Sequence, residues 1–201
     1  AGLIERFGTH QVIETPVSEE AIVGVAVGAA MMGMRPIVEI MYGDFSTLAS
    51  DPLINHAAKM RFLSAGKLSV PLVYRTPMGS GTGAAAQHTQ SLESVFTNIP
   101  GLKIVYPSTP YDLKGLLKSA VRDPDPVLFF EHKLYGVEDL IPEEEYLIEI
   151  GKGDIKRQGA DVSIITYGKT VFTAMEAARL LEADEISAEV LDVRTLRPLD
   201  T

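Results

Sequence analysis

Residues 102–131, LKIVYPSTPYDLKGLLKSAVRDPDPVLFFE, decide the fold. Two short apolar runs, Leu102–Tyr106 and Val127–Glu131, flank an amphipathic helical segment, Tyr111–Arg122. Pro107 and Pro110 separate the first run from the helix, and the Asp-Pro-Asp-Pro stretch 123–126 is a rigid turn into the second. A strand without polar alternation is buried on both faces, and strand–helix–strand is the building unit of a parallel sheet covered by helices.

The same pattern continues outward. Toward the N-terminus, Pro36–Met41 and Val70–Arg75 read as buried strands, and Phe45–Ala65 as a long helical stretch restarted at Pro52. Glu19–Met32 reads as a helix with Ser18 as N-cap and Gly33 as its stop. Leu3–Phe7 is the tail of a helix ended by Gly8, and Thr76–Ala86 is a glycine-rich loop. Toward the C-terminus, Gly136–Gly159 is expected to be an irregular, solvated connection because of its acidic run and scattered glycines. A new unit follows, with strand Val162–Thr166, helix Thr170–Glu182 and strand Ala188–Val193. The expected organisation is an α/β chain: a parallel sheet with helices on both faces over 1–137, a connection over 138–159, and the truncated beginning of a second α/β domain over 160–201. The N-terminus, opening inside a helix, reads as clipped.

Composition bounds the function. The 201 residues carry 27 acidic against 18 basic groups, a net charge of −9, which argues against a nucleic-acid groove. With no cysteine there is no disulfide framework and no thiolate metal site; this fits the cytoplasm. The apolar stretch Ala21–Met34 is too short and too rich in glycine to span a bilayer, so a soluble protein is expected.

The segment richest in chemistry begins at Glu19, which stands at the mouth of a helix showing Gly24 and Gly28 four residues apart. Small residues at that spacing let a helix or a cofactor approach the backbone closely. Read alone, the same pattern also suits a tightly packed core helix with an acidic first turn. It is not a dinucleotide fingerprint, because the glycines lie inside the helix and not in a strand-to-helix turn.

Glu19, Gly24, Val25, Gly28 and Ala29 together resemble the pyrimidine-site motif of thiamine-diphosphate enzymes. The segments ETPVSEEAIVGVAVGAAMMGMRPIVEIM, NHAAKMRF, AAAQHTQSLES, IPGLKIVYPSTPYDLKGLLKSAVRDPDPV and EVLDVRTLRPLD resemble, in order, the beta subunits of 2-oxo-acid and acetoin dehydrogenases. The resemblance covers nearly the whole chain. It implies a transketolase-like pyrimidine-binding domain in which Glu19 hydrogen-bonds N1′ of the aminopyrimidine. In that role the carboxyl shares or donates a proton near neutral pH. It further implies that Gly24 and Gly28 lie at a subunit interface, that Phe45 stacks on the aminopyrimidine, and that His88 lines the channel where the acyl group passes to a lipoyl arm.

His88 follows the flexible stretch SGTGAAAQ, the kind of loop that delivers side chains into active sites, and an imidazole exchanges protons at physiological pH. His10, His56 and His132 have no such context. Some family members hold potassium largely on backbone carbonyls; the matching positions are Leu72, Ala120, Val121, Asp123 and Asp125. The 123–126 turn serves equally as a plain helix-to-strand connection.

The family's diphosphate and magnesium motif, Gly-Asp-Gly followed by Asn-Asn, is absent, since Phe45 follows Gly43-Asp44 and no Asn-Asn pair occurs. The resemblance therefore implies an alpha subunit carrying Mg2+ and the phosphates, self-association of beta, and a lipoyl-bearing acyltransferase as a further partner. A transketolase or deoxyxylulose-phosphate-synthase half, and a non-catalytic α/β scaffold, are the alternatives; a nucleotide-binding module lacks any P-loop.

Overall fold

The computed structural model describes residues 2–134, 136 and 139–201, and the boundary expected between 137 and 138 lies outside them. Two sheets are built. The first has strand order β1–β2–β4–β3–β8, with β1 Ile37–Glu39, β2 Val73–Met78, β3 Lys103–Val105, β4 Val127–His132 and β8 Thr195–Arg197. Its first four strands run parallel and β8 is antiparallel to β3. The second sheet has order β5–β7–β6, from β5 Asp154–Arg157, β6 Val162–Thr166 and β7 Ala188–Asp192.

Helices cover both faces of the first sheet, as expected. On one face Tyr74, Leu128, Phe130 and Ile104 pack with Val23, Ala26, Val27 and Ala30 of α2 (Glu19–Met31). On the other, Val73, Val105, Val127 and Phe129 pack with Leu116 and Ala120 of a long helix, Pro110–Arg122, and with Ile148 from the connection. Alternate strand residues thus feed opposite cores, the two-residue period of a pleated strand.

The long helix between 110 and 122 carries its own start signals. Thr109 accepts a hydrogen bond from the Asp112 backbone N–H at 3.1 Å, and Pro110 occupies the first turn, where its missing N–H is harmless.

Three expectations are corrected. The stretch Phe45–Ala65 is three short pieces in place of one long run: a 3-10 turn Gly43–Thr47, a π-helical segment Pro52–Ala57 that opens at Pro52 as expected, and a short helix Met60–Leu63, with turns at 48–49 and 58–59 between them. Strand β2 starts later and continues through Pro77 into the expected loop. Val73 N–H bonds to Pro36 and Arg75 accepts from Ile40, so residues of that parity face β1, which ends opposite Arg75. The missing N–H of Pro77 therefore faces a vacant side.

The stretch read as irregular contains β5, antiparallel to β7, and the chain end contains β8, which returns to pair with the first sheet. Both are short and polar, so no periodicity marks them.

The helix Glu93–Thr97, α4 once α1 (Leu3–Phe7), α2 and α3 (Met60–Leu63) are counted, precedes α5, the helix Pro110–Arg122; α6 is Thr170–Glu182. The first turn of α5 holds the ionic cluster that ties the two sheets. Asp112, fully buried, accepts from Lys156 Nζ of β5 at 2.7 Å, from Arg194 Nη1 at 3.0 Å and from Thr109 Oγ1 at 2.6 Å. Asp192 of β7, also fully buried, accepts from Ser108 Oγ and from the Arg194 backbone N–H at 3.0 Å. Arg194 donates further to the carbonyls of Lys152 and Gly153.

Burial pushes the Asp112 carboxyl up, but the bonds from Lys156 and Thr109 and the adjacent charges outweigh it and hold its pKa below the ordinary value. Burial dominates at Asp192, whose pKa is raised.

Asp112→Ala leaves Arg194 without its carboxylate partner and Lys156 with Asp154 at 2.7 Å, and is expected to lower the unfolding free energy by about 3 kcal/mol, the low end for breaking a buried pair. Because the folded pKa of Asp112 is depressed, its contribution is present above the unfolded carboxylate pKa and lost as pH falls through the folded value. Urea unfolding at neutral and acidic pH checks both: the deficit of the variant should shrink in acid. An unchanged midpoint at neutral pH would remove Asp112 as the link.

Candidate active site

The buried stripe of α2 places Glu19. Val23, Ala26, Val27 and Ala30 face the core, and Glu19, four residues before Val23, falls on the same side. Glu19 as a residue is 8% exposed. Ser18 stands at the N-cap position but makes no side-chain cap bond. Among the described residues no donor is hydrogen-bonded to the Glu19 carboxylate. Neither carboxylate oxygen is sealed off from solvent, so the tip of this largely buried residue is open to a donor from a ligand.

Tyr74 is its charged-state neighbour. Burial raises the Tyr74 phenol well above its ordinary pKa, the Ser46 bond opposes this, and the charge of Glu19 adds to it. The phenol oxygen lies 2.6 Å from Ser46 Oγ. Ser46 follows Phe45 in the 3-10 turn, so the phenol that feels the charge of Glu19 is bonded to the Phe45 turn. Gly43 begins that turn in close contact with β2; a Cβ there would stand 2.4 Å from Met78 Cγ.

The structure brings Phe45 and His88 together. Their ring centroids are 5.5 Å apart, edge to face, and Tyr42 completes the cluster at 4.5 Å from His88 and 5.9 Å from Phe45. Edge-to-face pairs of this kind are favoured by the ring quadrupole. The loop bearing His88 is closed at its base by Gly79 N–H to Gln90 C=O. Gly79 has φ +95° and lies against the His132 imidazole, 2.4 Å from where a Cβ would sit, so only glycine fits. Asp44, buried beside Phe45, accepts from Gln90 Nε2 at 2.8 Å. Burial, then the charges of Lys169 and Lys133, depress the His132 pKa. His56 stands apart from this cluster, paired at the surface with Asp51 at 3.3 Å.

Gly24 and Gly28 occupy the opposite, exposed side of α2 and would meet nothing within 4 Å if given side chains. They line an open groove of about 700 Å³ with Met31, Pro52, His56 and Met60. Glu19, Phe45 and His88 do not line it.

Of the potassium positions, the structure gathers two carbonyls. Val121 O and Asp123 O both accept from Arg35 Nη1, at 2.8 and 3.0 Å. Ala120 O accepts from Asp123 N–H, and Leu72 O from Val127 N–H. The Asp123 carboxylate is bound by Lys103 and that of Asp125 by Arg61. The donors are hard oxygens suited to such a cation, and a carbonyl accepting one hydrogen bond keeps a second lone pair. Three neighbouring cationic side chains oppose the ion. Among the described residues no cluster of three or more His, Cys, Asp or Glu side chains is arranged to hold a metal.

Tyr42, Asp44, Tyr74 and Lys133 were not singled out by the sequence. Asp44 stands beside Phe45, and Lys133 in the unit Glu131–Lys133, but only the folded chain shows that they meet the His88 loop.

Residues 2–136 match the family described as transketolase, pyrimidine binding domain, and residues 151–201 match the transketolase C-terminal domain. The chain is 54% identical over 202 residues to the 2-oxoisovalerate dehydrogenase subunit beta of Bacillus subtilis, covering 100% of this chain and 62% of that protein. It is 53% identical over 200 residues to the acetoin:2,6-dichlorophenolindophenol oxidoreductase subunit beta of Cupriavidus necator, covering 99% and 59%. The chain thus spans about three-fifths of the length of these relatives. Among solved structures it is similar in fold to one described as a split gene transketolase, inactive beta4 tetramer. The TM-score is 0.83 at 22% identity, over 98% of this chain and 62% of that one.

Proposed function

The chain belongs to the family of the transketolase pyrimidine-binding domain, and from that premise we propose that it is the pyrimidine-binding part of the beta subunit of a thiamine-diphosphate-dependent dehydrogenase. The enzyme decarboxylates a 2-oxo acid or cleaves acetoin and passes the acyl unit to a lipoyl domain. The relatives named for 2-oxoisovalerate and for acetoin support this class of substrate about equally. The observation that carries the proposal is Glu19: a largely buried residue on the core side of α2, bonded to no donor among the described residues, whose charge acts on Tyr74, itself bonded to Ser46 of the Phe45 turn.

Thiamine diphosphate, when bound, supplies the carbanion-stabilising chemistry. Glu19 holds a proton at N1′ of its aminopyrimidine. Phe45 offers a ring to that heterocycle, and the fixed turn from Gly43 to Thr47 orients it. His88, carried over Phe45, exchanges a proton during transfer of the acyl unit. Magnesium and the diphosphate belong to an alpha subunit, since this chain carries no Gly-Asp-Gly/Asn-Asn motif. We place the division of the chain at 1–137, 138–159 and 160–201, with β5 lying inside the connecting stretch. No helix among the described residues is long and apolar enough to cross a membrane, and the proposal places the enzyme in the cytoplasm.

The exposed Gly24/Gly28 face supports assembly. It lines an open apolar groove, and Val25 and Met32 stand exposed on the same helix. A site completed by a second polypeptide rests on an obligate contact, and such contacts bury more than about 2,000 Å². The proposed assembly is two alpha and two beta chains, with beta pairing to itself. Potassium is proposed at the carbonyls of Leu72, Ala120, Val121 and Asp123 with Asp125, sharing the Val121 and Asp123 oxygens with Arg35.

With the alpha subunit co-expressed, Glu19→Gln is expected to abolish turnover while the circular dichroism and melting temperature stay close to the parent. A folded variant with near-normal activity would sink the assignment. Gly28→Leu fills the groove side of α2 and should break assembly before it unfolds the chain; sedimentation of both proteins reads this. A monodisperse parent monomer that turns over alone would overturn the architecture. Titrating KCl against NaCl at constant ionic strength should raise the melting temperature with potassium only, and equal curves would remove the ion.

A further inference from the structure

The loop from Gly79 to Gln90 is exposed through Gly81–Gln87 but anchored at the end that carries His88. Three anchors converge there. Asp44 Oδ1 accepts from both the backbone N–H and Nε2 of Gln90, at 3.3 and 2.8 Å. Tyr42 meets the His88 imidazole edge to face at 4.5 Å. The Lys133 ammonium donates to the backbone carbonyl of His88 and also stands 4.5 Å from the centroid of the Tyr42 ring.

Lys133 is itself fixed, because it directly follows β4 and its backbone N–H donates to Met78 C=O at 3.1 Å. A rigid strand end therefore projects one cation onto both the main chain of His88 and the ring that its imidazole touches. An ammonium has three donors and no fixed fork, so it can hold a carbonyl and lie over a ring at once.

We propose that Lys133 is the positioning residue for His88, locking the loop so that the imidazole is held over Phe45. The inference rests on the reading of His88 as the residue that serves acyl transfer. The clamp itself is a property of the chain without cofactor. Two other members of the cluster act beside Lys133, since Asp44 fixes the loop at Gln90 and Tyr42 gives the imidazole its direction. Displacement of a positioned group by about 1 Å is enough to lose up to roughly 100-fold in rate.

Two measurements on Lys133→Met and Lys133→Arg, each assembled with the alpha subunit, test this. The first is the rate of His88 carbethoxylation by diethyl pyrocarbonate, followed by peptide mass spectrometry. The second is the ratio of lipoyl-domain reduction to reduction of an artificial dye. Lys133→Met should expose His88, raising its modification rate several-fold, and should lower lipoyl reduction relative to dye reduction by roughly tenfold. Lys133→Arg, which keeps the cation and its donors, should restore most of both. Tyr42→Leu serves as a second route to the same loss, so that poor folding of one variant does not decide the matter. Unaltered His88 reactivity in Lys133→Met and in Tyr42→Leu overturns the clamp. Faster modification with an unchanged lipoyl-to-dye ratio overturns the role of His88 in acyl transfer, and with it the purpose assigned to Lys133.

Discussion

A buried charge cluster ties the second sheet to the first: Asp112 at the start of α5 is bound by Lys156 from β5 and Arg194 from the segment between β7 and β8. Two fully buried carboxylates, Asp112 and Asp192, lie close enough to repel each other, and Lys156, within reach of both, offsets that repulsion. The helix N-terminus adds a favourable partial positive charge at Asp112. The cluster joins α5 to β5 and to the segment after β7, while Tyr167, bonded to Glu93 and packed on Tyr106, adds a second contact. The return of β8 to pair with β3 follows directly, since Arg194 both bonds Asp112 and passes its carbonyl to Tyr106 N–H at 2.8 Å.

The candidate site is built at the other side of the first sheet by elements that contribute little energy individually. The 3-10 turn of Phe45, the start of α2 and the loop of His88 lie far apart in sequence and are gathered by β1, β2 and β4, which run parallel, β1 ending opposite Arg75 and the other two running on to Met78 and His132. This is the general advantage of a parallel sheet: strand ends gather loops from distant parts of the chain. The rigid strands fix where each loop begins, and short polar contacts such as Asp44 to Gln90 fix where it goes. The groove on the exposed side of α2 serves a different end. One helix therefore presents Glu19 inward to chemistry and Gly24 and Gly28 outward to a neighbour, and a substitution on one side need not disturb the other.

The alternation of strand and helix, most of the strand positions, and the helices Pro110–Arg122 and Thr170–Glu182 were legible in the sequence, because apolar periodicity and capping residues act over a few neighbours at a time. Resemblance to a known motif singles out Glu19, Phe45 and His88. Three features were decided by tertiary structure. Strand β5, with only Ile155 apolar among its four residues, exists because β7 offers it an edge and Asp112 offers Lys156 a partner. Pro77 lies inside a strand because β1 ends where its missing N–H would have been needed. Lys133 reaches His88 across 45 positions of chain, a contact that no local pattern encodes. Periodicity reports what a segment buries; which distant group satisfies a polar side chain depends on the packing of the whole, and for that reason the cation beside His88 became visible only in the folded chain.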